Sequence, residues 1–487
     1  MNPFDYTALD EDAPETGAPV GEAPAPAAPP IQHLTDIGNG QRFAAMHAGK
    51  VVYMPSRGWL AYEAACGAWR PNERAVARLA KATALSWYAT AGECEDDDVR
   101  RPVLKHARAS ESAQKIAAML TMAQSELALE AEPQDFDAHP LLLNTPTCAV
   151  DLRSGERLVH DPELRFTQVA GASYEPDAEC PLWTAHLERI FAGDAELIGF
   201  LQRFAGYCLT GRTGEQVVCI FHGNGANGKS VTTETLRAVL GDYAASVDPK
   251  SLAISRNDGP RADLARLAGA RFVTAAESSV DAQLDEALIK AATGGEPLTV
   301  RHLFKDPFEY KPAFKVVLST NHKPEIRGTD LGIWRRVRLV PFDVTIPERE
   351  QDRDLPTKLH AELPGILSWM VRGCIAWQEK GLEAPAAVLE ATAGYRAEQD
   401  VVGRFLGECS TPDRDASVPV HPVYVAYREW AGHAGETPLS ERRFRAALRE
   451  HGVRLDGLEA TTKRLLCWGI RLVTSRNEDD PEGCLPC

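Results

Sequence analysis

Long apolar runs are missing from this chain of 487 residues, and a span across a membrane is therefore not expected. A basic segment followed by an apolar one is also missing near residue 1, so we expect no secretory signal. Eleven cysteines are scattered along the sequence, as in reduced cytoplasmic proteins. The C-x-x-C pair of Cys484 and Cys487 has no second pair to complete a four-ligand zinc site.

Lysine and arginine are absent from residues 1–40, which hold seven acidic residues. Residues 1–35 are rich in alanine, proline and acids, a composition that buries too little apolar surface to fold, and we predict a disordered tail. The tail is either a solubilising segment or a docking arm for partners. The formal net charge of −16 argues, taken alone, against a nucleic-acid partner. The charge is unevenly spread along the chain, so the charge of each segment is more informative than the total.

A complete G-x-x-x-x-G-K-S motif is present over residues 223–230. An apolar run enters it and a segment of helical character leaves it, which is the strand–loop–helix context that a phosphate loop requires. Its glycines let backbone N–H groups face an anion, and the following helix adds its positive end. In this motif the lysine reaches the β- and γ-phosphates and the serine ligates Mg²⁺. We therefore expect ATP and Mg²⁺ at Gly223, Asn224, Gly225, Ala226, Asn227, Gly228, Lys229 and Ser230.

The same glycines also satisfy G-x-G-x-x-G, the dinucleotide fingerprint, through Gly223, Gly225 and Gly228. That motif requires an acidic residue about 20 positions on, at the end of a second strand. Here the following segment is helical up to Gly241, and a Lys-Ser pair follows the last glycine. The triphosphate interpretation is therefore favoured.

Three further features supply parts that an ATPase needs beyond the loop. Residues 271–277 form a predicted buried strand ending in Glu277, our candidate for the Walker B carboxylate that holds Mg²⁺ and the attacking water. Residues 314–321 form a second strand ending in Asn321, a candidate γ-phosphate sensor. Arg335 and Arg336 precede another apolar strand and are candidate arginine fingers, with Arg335 favoured. Each has a simpler alternative. Glu277 could be a surface glutamate, Asn321 a turn residue, and the two arginines part of a solvated basic face.

Residues 299–311 predict a β-hairpin with basic and aromatic residues at its tip. The basic side chains in and beside it outnumber the acids, and such a hairpin suits a nucleic-acid backbone. These side chains are Arg301, His302, Lys305, Lys311 and Lys315.

The region before the loop, residues 36–180, predicts a mixed α/β domain. We predict strands at 51–54 and 58–62 and helices at 73–91 and 110–130. Asp135 and Asp137 form an Asp-x-Asp pair of the kind that holds two metals in some polymerases. Nothing nearby completes such a site, so a turn is favoured.

The chain after residue 350 predicts a helical region to 398 and a small domain over 399–475, followed by a tail over 476–487. Ser440 precedes an arginine-rich segment and is predicted to cap a helix. Residues 453–473 suit a two-stranded wing. Helix and wing together favour DNA contact, and the alternative is a solvated basic helix. The candidate DNA-binding residues here are Arg442, Arg443 and Arg445.

The order of motifs resembles superfamily 3 helicases, most closely the poxvirus-type NTPases and the phage and plasmid primase–helicases. The resemblance spans roughly residues 135–475 and rests on G-N-G-A-N-G-K-S, A-A-E-S, I-K-A-A-T-G-G-E, L-S-T-N-H-K-P and I-W-R-R-V-R-L-V-P-F. It implies an α/β fold: a helical collar (181–215), an AAA+-like P-loop ATPase core (216–350) and a C-terminal winged helix. It also implies hexameric rings that translocate on single-stranded DNA and unwind duplex forks.

The resemblance extends to individual residues. It places Arg301 and Lys305 on the pore hairpin, and Lys290 where relatives have a basic residue that reaches a neighbour's nucleotide. Several relatives carry two adjacent acids at Walker B, whereas here Ser278 follows Glu277. That departure leaves open whether Glu277 is a metal ligand, a general base or both.

We therefore expect an ATP-dependent DNA helicase of phage- or plasmid-type replication, acting as a cytoplasmic homo-hexamer. Its expected partners are single-stranded DNA, duplex forks and replication proteins docked on the acidic tail, with no membrane. One alternative is a DNA-binding initiator or loader whose ATPase only switches assembly. A small-molecule kinase is opposed by the tandem arginines and the basic hairpin. Primase activity is not expected, since the N-terminal part offers no complete two-metal site.

Overall fold

The computed structural model describes residues 33–254, 261–276, 283–301, 306–326, 331–459 and 464–473. The chain begins with a helical unit built around a small antiparallel sheet. Its elements are α1 (Asp36–His47), β1 (Val51–Met54), β2 (Gly58–Glu63), β3 (Ala68–Pro71), α2 (Glu73–Glu93), α3 (Asp97–Ser110) and α4 (Ala113–Ala123). A second three-stranded antiparallel sheet follows, with β4 (Leu142–Asn144), β5 (Ala149–Asp151) and β6 (Glu156–Leu158).

Two helices, α5 (Pro181–Ile190) and α6 (Ala195–Cys208), lead into an α/β unit. This unit alternates strands with short helices and carries one hairpin. Its elements are β7 (Val218–His222), α7 (Lys229–Leu240), β8 (Ala244–Val247), α8 (Ala262–Ala265), β9 (Phe272–Ala276), α9 (Glu286–Gly294), β10 (Leu298–Arg301), β11 (Pro307–Tyr310), β12 (Lys315–Thr320), α10 (Leu331–Trp334) and β13 (Val337–Pro341).

The central sheet of this unit is parallel, in the order β13-β7-β12-β9-β8. Its inner strands are buried on both faces, as expected for a parallel sheet covered by helices. On β7, Cys219 and Phe221 face a core that includes α6 and α12 (Leu363–Lys380), while Val218 and Ile220 face a second core on the other side. The sheet is therefore the middle layer of three.

The position of β7 within the sheet matters for any ligand. Along the chain β7 is followed by β8, which lies at one edge of the sheet, while the last strand, β13, pairs with β7 on its other side. The chain thus places β8, β9 and β12 on one side of β7 and then returns to place β13 on the other side. In open α/β sheets, ligands bind beyond the carboxyl ends of the strands at such a point.

Helices and a small three-stranded sheet complete the chain. The further helices of the connecting region are α11 (Leu355–Ala361) and α13 (Ala386–Gln399). The last unit comprises α14 (Val401–Cys409), β14 (Ser410–Pro419), α15 (Val420–His433), α16 (Glu441–Glu450), β15 (Arg454–Leu458) and β16 (Leu465–Leu472). Its sheet has the order β14-β16-β15, all antiparallel, and it packs on a separate core centred on Phe405, Tyr427 and Phe444. Within the described residues, no helix is long and apolar enough to cross a membrane.

Most strands and helices predicted from the sequence are present, including the hairpin before β12 and the pairing of β15 with β16. The helix predicted over 110–130 is present but shorter, as α4 over Ala113–Ala123. Two helices, α3 and α4, meet near residue 111, and the second ends at Ala123. Asp96 caps α3 by accepting a hydrogen bond from the backbone N–H of Asp98. The acidic run of residues 95–98 therefore lies at the start of this helix. Pro102 lies inside α3 without ending it.

Asp135 and Asp137 have structural roles, as the turn prediction implies. The Asp135 carboxylate accepts from the backbone N–H of Glu132 at 2.8 Å and pairs with Arg165 at 3.1 Å. Asp137 has a φ of 51° and accepts hydrogen bonds from the backbone N–H and the hydroxyl of Thr167. Both carboxylates are therefore occupied in holding this turn.

A close helix crossing provides a test of the fold. A methyl group added at Gly206 in α6 would lie 2.0 Å from the backbone nitrogen of Cys374 in α12, whereas one at Gly199 would meet only the Arg203 guanidinium at 3.4 Å. We expect Gly206→Ala to lower the free energy of unfolding by about 1–3 kcal/mol through overpacking. Gly199→Ala, the matched control, should be neutral or stabilising by up to about 1 kcal/mol. Urea titration measures both, and equal effects would contradict this packing.

Candidate functional site

The loop between β7 and α7 is held in a conformation that favours glycine. Gly225 and Gly228 have φ values of +87° and +83°, in the left-handed region. A Cβ at Gly223 would lie 2.2 Å from the Phe342 carbonyl oxygen. The Asn227 amide donates to that same carbonyl at 3.0 Å. The segment that follows β13 therefore fixes the shape of the loop from outside.

Lys229, the first residue of α7, points back into the loop. Its ammonium donates to the Gly223 carbonyl at 2.6 Å, to the Asn227 side-chain oxygen at 3.0 Å and to the Asn321 side-chain oxygen at 3.0 Å. Lys229 is only 6% exposed, and burial lowers its pKa. Within the described part of the chain no carboxylate pairs with it. A buried cation held only by neutral oxygens is suited to receive an anionic oxygen.

The parallel register brings the polar strand ends to the same edge of the sheet. Ser319 lies beside both Phe221 and Ala276, so β7, β9 and β12 end at the same level. Asn321 follows β12 directly and reaches Lys229, as the bond above shows. Glu277 follows β9 in sequence, but it lies outside the described residues.

Ser230 lies beside Lys229 in the first turn of α7 and is exposed. A serine hydroxyl at this position of the motif is a ligand for Mg²⁺ bound with a nucleotide. Among the described residues there is no cluster of three or more His, Cys, Asp or Glu side chains that suits a metal ion. Ser230 thus offers one hydroxyl ligand of the kind that suits a metal ion carried by phosphate oxygens.

The paired arginines lie at the opposite edge of the sheet. Val337 in β13 is aligned with Val218, and Pro341 with His222. Arg335 therefore precedes the amino end of its strand, whereas the loop follows the carboxyl end of β7. The two are separated by about one strand length, roughly 17 Å. Arg335 does not reach the loop of its own chain.

The two arginines differ in environment. Arg335 is exposed and donates to the Gln216 side-chain oxygen at 3.0 Å. Arg336 is 8% exposed and donates to the Thr293 hydroxyl at 3.1 Å and to the Gly332 carbonyl. Arg336 thus joins β13 to α9, and Arg335 is the one of the pair available to an outside ligand.

Lys290 lies on α9, one turn before the threonine that binds Arg336, and is half-buried near Glu286 with an N–O distance of 4.0 Å. Lys290 therefore lies toward the amino ends of the parallel strands, where Arg335 lies, and not beside the loop. We call this side of the sheet the arginine edge. The residues predicted to act across a subunit boundary, Lys290 and Arg335, share one side of the unit.

The basic hairpin is present, with β10 and β11 antiparallel and Arg301 opposite Pro307. Arg301 is exposed at its outer end, and His302 and Lys305 lie outside the described residues. The prediction that groups Lys315 with the basic side chains of the hairpin is wrong. Lys315 is buried at the start of β12 and donates to the carbonyls of Thr210, Arg212 and Ala313. Burial lowers its pKa to about 7. Lys315 therefore fixes the sheet to the preceding loop and is not part of the hairpin surface.

In the last unit, Arg442 and Arg443 are exposed on α16, while Arg445 is half-buried and pairs with Glu441 at 2.5 Å. Ser440 occupies the N-cap position, but its side chain makes no capping hydrogen bond, contrary to the prediction. Glu441 in the first turn instead complements the positive end of the helix. The tail containing Cys484 and Cys487 lies outside the described residues.

His186 is a contributor that sequence reasoning missed. It lies on α5, is 5% exposed, and its Nε2 atom is 3.1 Å from the Thr232 hydroxyl in the first turns of α7. A Cβ at Gly228 would meet Ile190 at 2.6 Å and His186 at 2.9 Å. Burial lowers the pKa of His186 to about 4, so it is neutral at physiological pH. α5 thus packs against the end of the loop and the start of α7. No local sequence signal indicates that contact.

Comparison with known proteins identifies three matching segments. Residues 40–192 match the model of D5 N terminal-like domains, residues 221–336 match a family of unknown function, and residues 397–465 match the poxvirus D5 protein-like family. The D5 segments thus flank the loop and sheet described above. The first and last matched segments are therefore similar to D5-type proteins, which points to a relationship with D5-type primase–helicases.

Curated relatives come from large DNA viruses. The chain is 28% identical over 268 residues to the putative helicase L207/L206 of Acanthamoeba polyphaga mimivirus, covering 50% of this chain and 28% of that protein. It is 30% identical over 252 residues to the putative helicase 022R of Frog virus 3, covering 47% and 26%. It is 24% identical over 328 residues to the putative primase C962R of African swine fever virus (isolate Tick/Malawi/Lil 20-1/1983), covering 61% and 34%. The chain thus spans about a quarter to a third of these relatives.

Among solved structures, the apo C-terminal region of NrS-1 aligns with 74% of this chain and 90% of its own. The identity is 13% and the TM-score 0.43. A similarity at this level does not establish a shared arrangement.

The contrast between the arginines gives a testable expectation. Arg336→Ala leaves the Thr293 hydroxyl and the Gly332 carbonyl without their partner, at a cost of about 1–3 kcal/mol in the free energy of unfolding. Arg335→Ala, its exposed neighbour and control, should change stability by less than about 0.5 kcal/mol. Thermal and urea unfolding measure both. Equal losses would mean that Arg335 is structural as well.

Proposed function

We propose that this chain is the ATP-dependent motor of a DNA helicase, with an AAA+-like P-loop core and a C-terminal winged helix. The strand–loop–helix geometry, the parallel sheet and the enclosed Lys229 ammonium support nucleotide binding at residues 223–230. The family relationship supports a role in replication. In the last unit, the order helix, strand, two helices and two strands suits a winged helix.

The observation that carries the proposal is the separation of the two halves of the site. Lys229 and Asn321 lie at the carboxyl edge of the sheet, and the exposed Arg335 lies at the amino edge. Phosphoryl transfer needs positive charge on the γ-phosphate in the transition state. Within the described residues of one chain, Lys229 lies at the loop and Arg335 does not reach it. Head-to-tail contacts in a ring would place the arginine edge of one subunit against the loop of the next.

Each residue then has a distinct task. Lys229 would bind the β- and γ-phosphate oxygens, and Asn321, already bonded to Lys229, would sense the γ-phosphate. Ser230 and Glu277 would hold Mg²⁺, which neutralises phosphate charge when bound. Glu277 would also orient the water that attacks the γ-phosphorus as ADP leaves. Arg335 of the adjacent subunit would stabilise the charge that develops, with Lys290 beside it.

DNA contact is assigned to two separate elements. The hairpin of β10 and β11 carries Arg301 at its outer end, and a ring of such hairpins would line a pore for single-stranded DNA. Arg442 and Arg443 on α16 face solvent and would meet duplex phosphates. ATP hydrolysis at subunit boundaries would then move the hairpins along the strand.

Mixed subunits test the shared site. Lys229→Ala and Arg335→Ala should each abolish ATP hydrolysis when alone. In an equimolar mixture, random assembly leaves about a quarter of the boundaries with both residues intact, and we expect about that fraction of wild-type activity.

The matched control is a mixture of Arg335→Ala with the Lys229→Ala/Arg335→Ala double variant, which has no complete boundary and should stay inactive. Native mass spectrometry confirms that the subunits mix. Verified mixed rings without any recovery would overturn the assignment of Arg335 to a neighbour's site.

A further inference from the structure

An exposed row of basic residues runs along α2, outside every element used above. Arg74, Arg78 and Lys81 are exposed at spacings of four and three residues, and Leu85 and Tyr88 continue the row. These spacings place all five side chains on one side of the helix. The opposite side carries the buried core residues Val76, Ala80, Thr83, Ala84, Trp87 and Ala91. From the first of the five to the last, the row is about 21 Å long.

α3 presents a second basic row. Arg101, Lys105 and Arg108 are exposed, with Leu104 among them, and the buried Val103 and Ala107 lie on the other side. This row thus holds three exposed cations within eight residues, in a chain whose net charge is −16.

α3 packs against the C-terminal part of α2, where Trp87 and Ala91 meet Val103 and Ala107, so the two rows adjoin at that end of α2. At one end the Arg100 guanidinium donates to the Cys94 carbonyl at 2.9 Å. At the other end the Tyr88 hydroxyl donates to Glu111, directly after α3, at 2.5 Å. That bond raises the pKa of Tyr88, and the nearby charge of Arg108 opposes the rise. Tyr88 and Arg108 are therefore neighbours across the junction of the helices.

The six cations of these rows have no carboxylate partner within 4.0 Å among the residues that the structure describes. Acids on the two helices lie mainly at their ends, and Asp97 there pairs with Arg100 at 2.9 Å. A surface of unpaired like charges repels itself unless an anion covers it. The fitting partner is a long anion with regularly repeated charges.

We propose that this α2–α3 face, formed by Arg74, Arg78, Lys81, Leu85, Tyr88, Arg101, Leu104, Lys105 and Arg108, binds single-stranded DNA outside the hairpin. The six cations would contact successive phosphates. Leu85, Tyr88 and Leu104 are 53%, 39% and 40% exposed, and such apolar groups among cations can contact bases only where the bases are unpaired. The proposal adds a binding surface to the proposed function and does not depend on ATP hydrolysis.

The test is the salt dependence of binding to a fluorescent 30-nucleotide single strand, measured by anisotropy without ATP. In Arg78→Gln/Lys81→Gln two phosphate contacts are lost, and each contributes a slope of about −0.7 in log affinity against log salt. Between 50 and 200 mM salt, the wild-type affinity should therefore fall about sevenfold more than that of the variant. Arg101→Gln/Lys105→Gln should show the same difference.

Lys50→Gln/Arg57→Gln is the matched control, because both residues are exposed on the β1–β2 side of the same unit and the charge loss is equal. It should keep the wild-type slope. Sedimentation velocity and DNA-free ATP hydrolysis should match the wild type in all three variants. Failure of ATP hydrolysis in every protein would count against the proposed function but would leave this binding test intact.

Four results would overturn the proposal. The helix variants could keep the wild-type salt slope, or the control could lose it equally. The helix variants could also change the assembly state while assembled protein binds DNA as before, which would make the face a subunit contact. Equal loss of affinity for a blunt duplex of the same length would contradict the preference for a single strand.

Discussion

The parallel register of β7, β12 and β13 is the constraint on which the candidate site depends. Because parallel strands run in one direction, whatever follows β7 and β12 meets at one edge, and whatever precedes β13 lies at the other. The first edge brings Asn321 to Lys229 with an oxygen–nitrogen distance of 3.0 Å. The second edge holds Arg335. The same hydrogen-bond ladder therefore holds Arg335 away from the loop of its own chain.

Contacts from two other elements of the chain hold the loop in its shape. The Phe342 carbonyl receives the Asn227 amide on one side, and His186 on α5 contacts the helix start on the other. The Lys229 ammonium fills the space between with three neutral acceptors. A loop preformed in this way loses little conformational entropy when it binds an anion.

Local signals predicted the parts of the structure that are local in sequence. The glycine pattern with its Lys-Ser pair indicated the loop, and apolar runs indicated β9, β12 and the hairpin. The predictions that failed concern residues whose partners are distant in sequence. Lys315 is basic and close to the hairpin in sequence, yet the carbonyls of Thr210 and Arg212 hold it inside the protein.

The same reason separates the two arginines and conceals the role of His186. Contacts with Thr293 and the Gly332 carbonyl make Arg336 a structural residue, and adjacent arginines look alike in sequence. α3 is not among the predicted helices; Pro102 lies inside it, and Asp97 and Asp98 stabilise its start. His186 has no neighbouring motif, since its contact is made 46 residues away.

The central claim is that the catalytic site is complete only between subunits. The most direct measurement is the ATP hydrolysis rate per subunit over a range of protein concentrations, with the assembly state followed by mass photometry in the same samples. The account predicts almost no hydrolysis by monomers and a rate per subunit that rises in proportion to the fraction assembled. A monomer that hydrolyses ATP at the same rate per subunit as the assembled protein would contradict it.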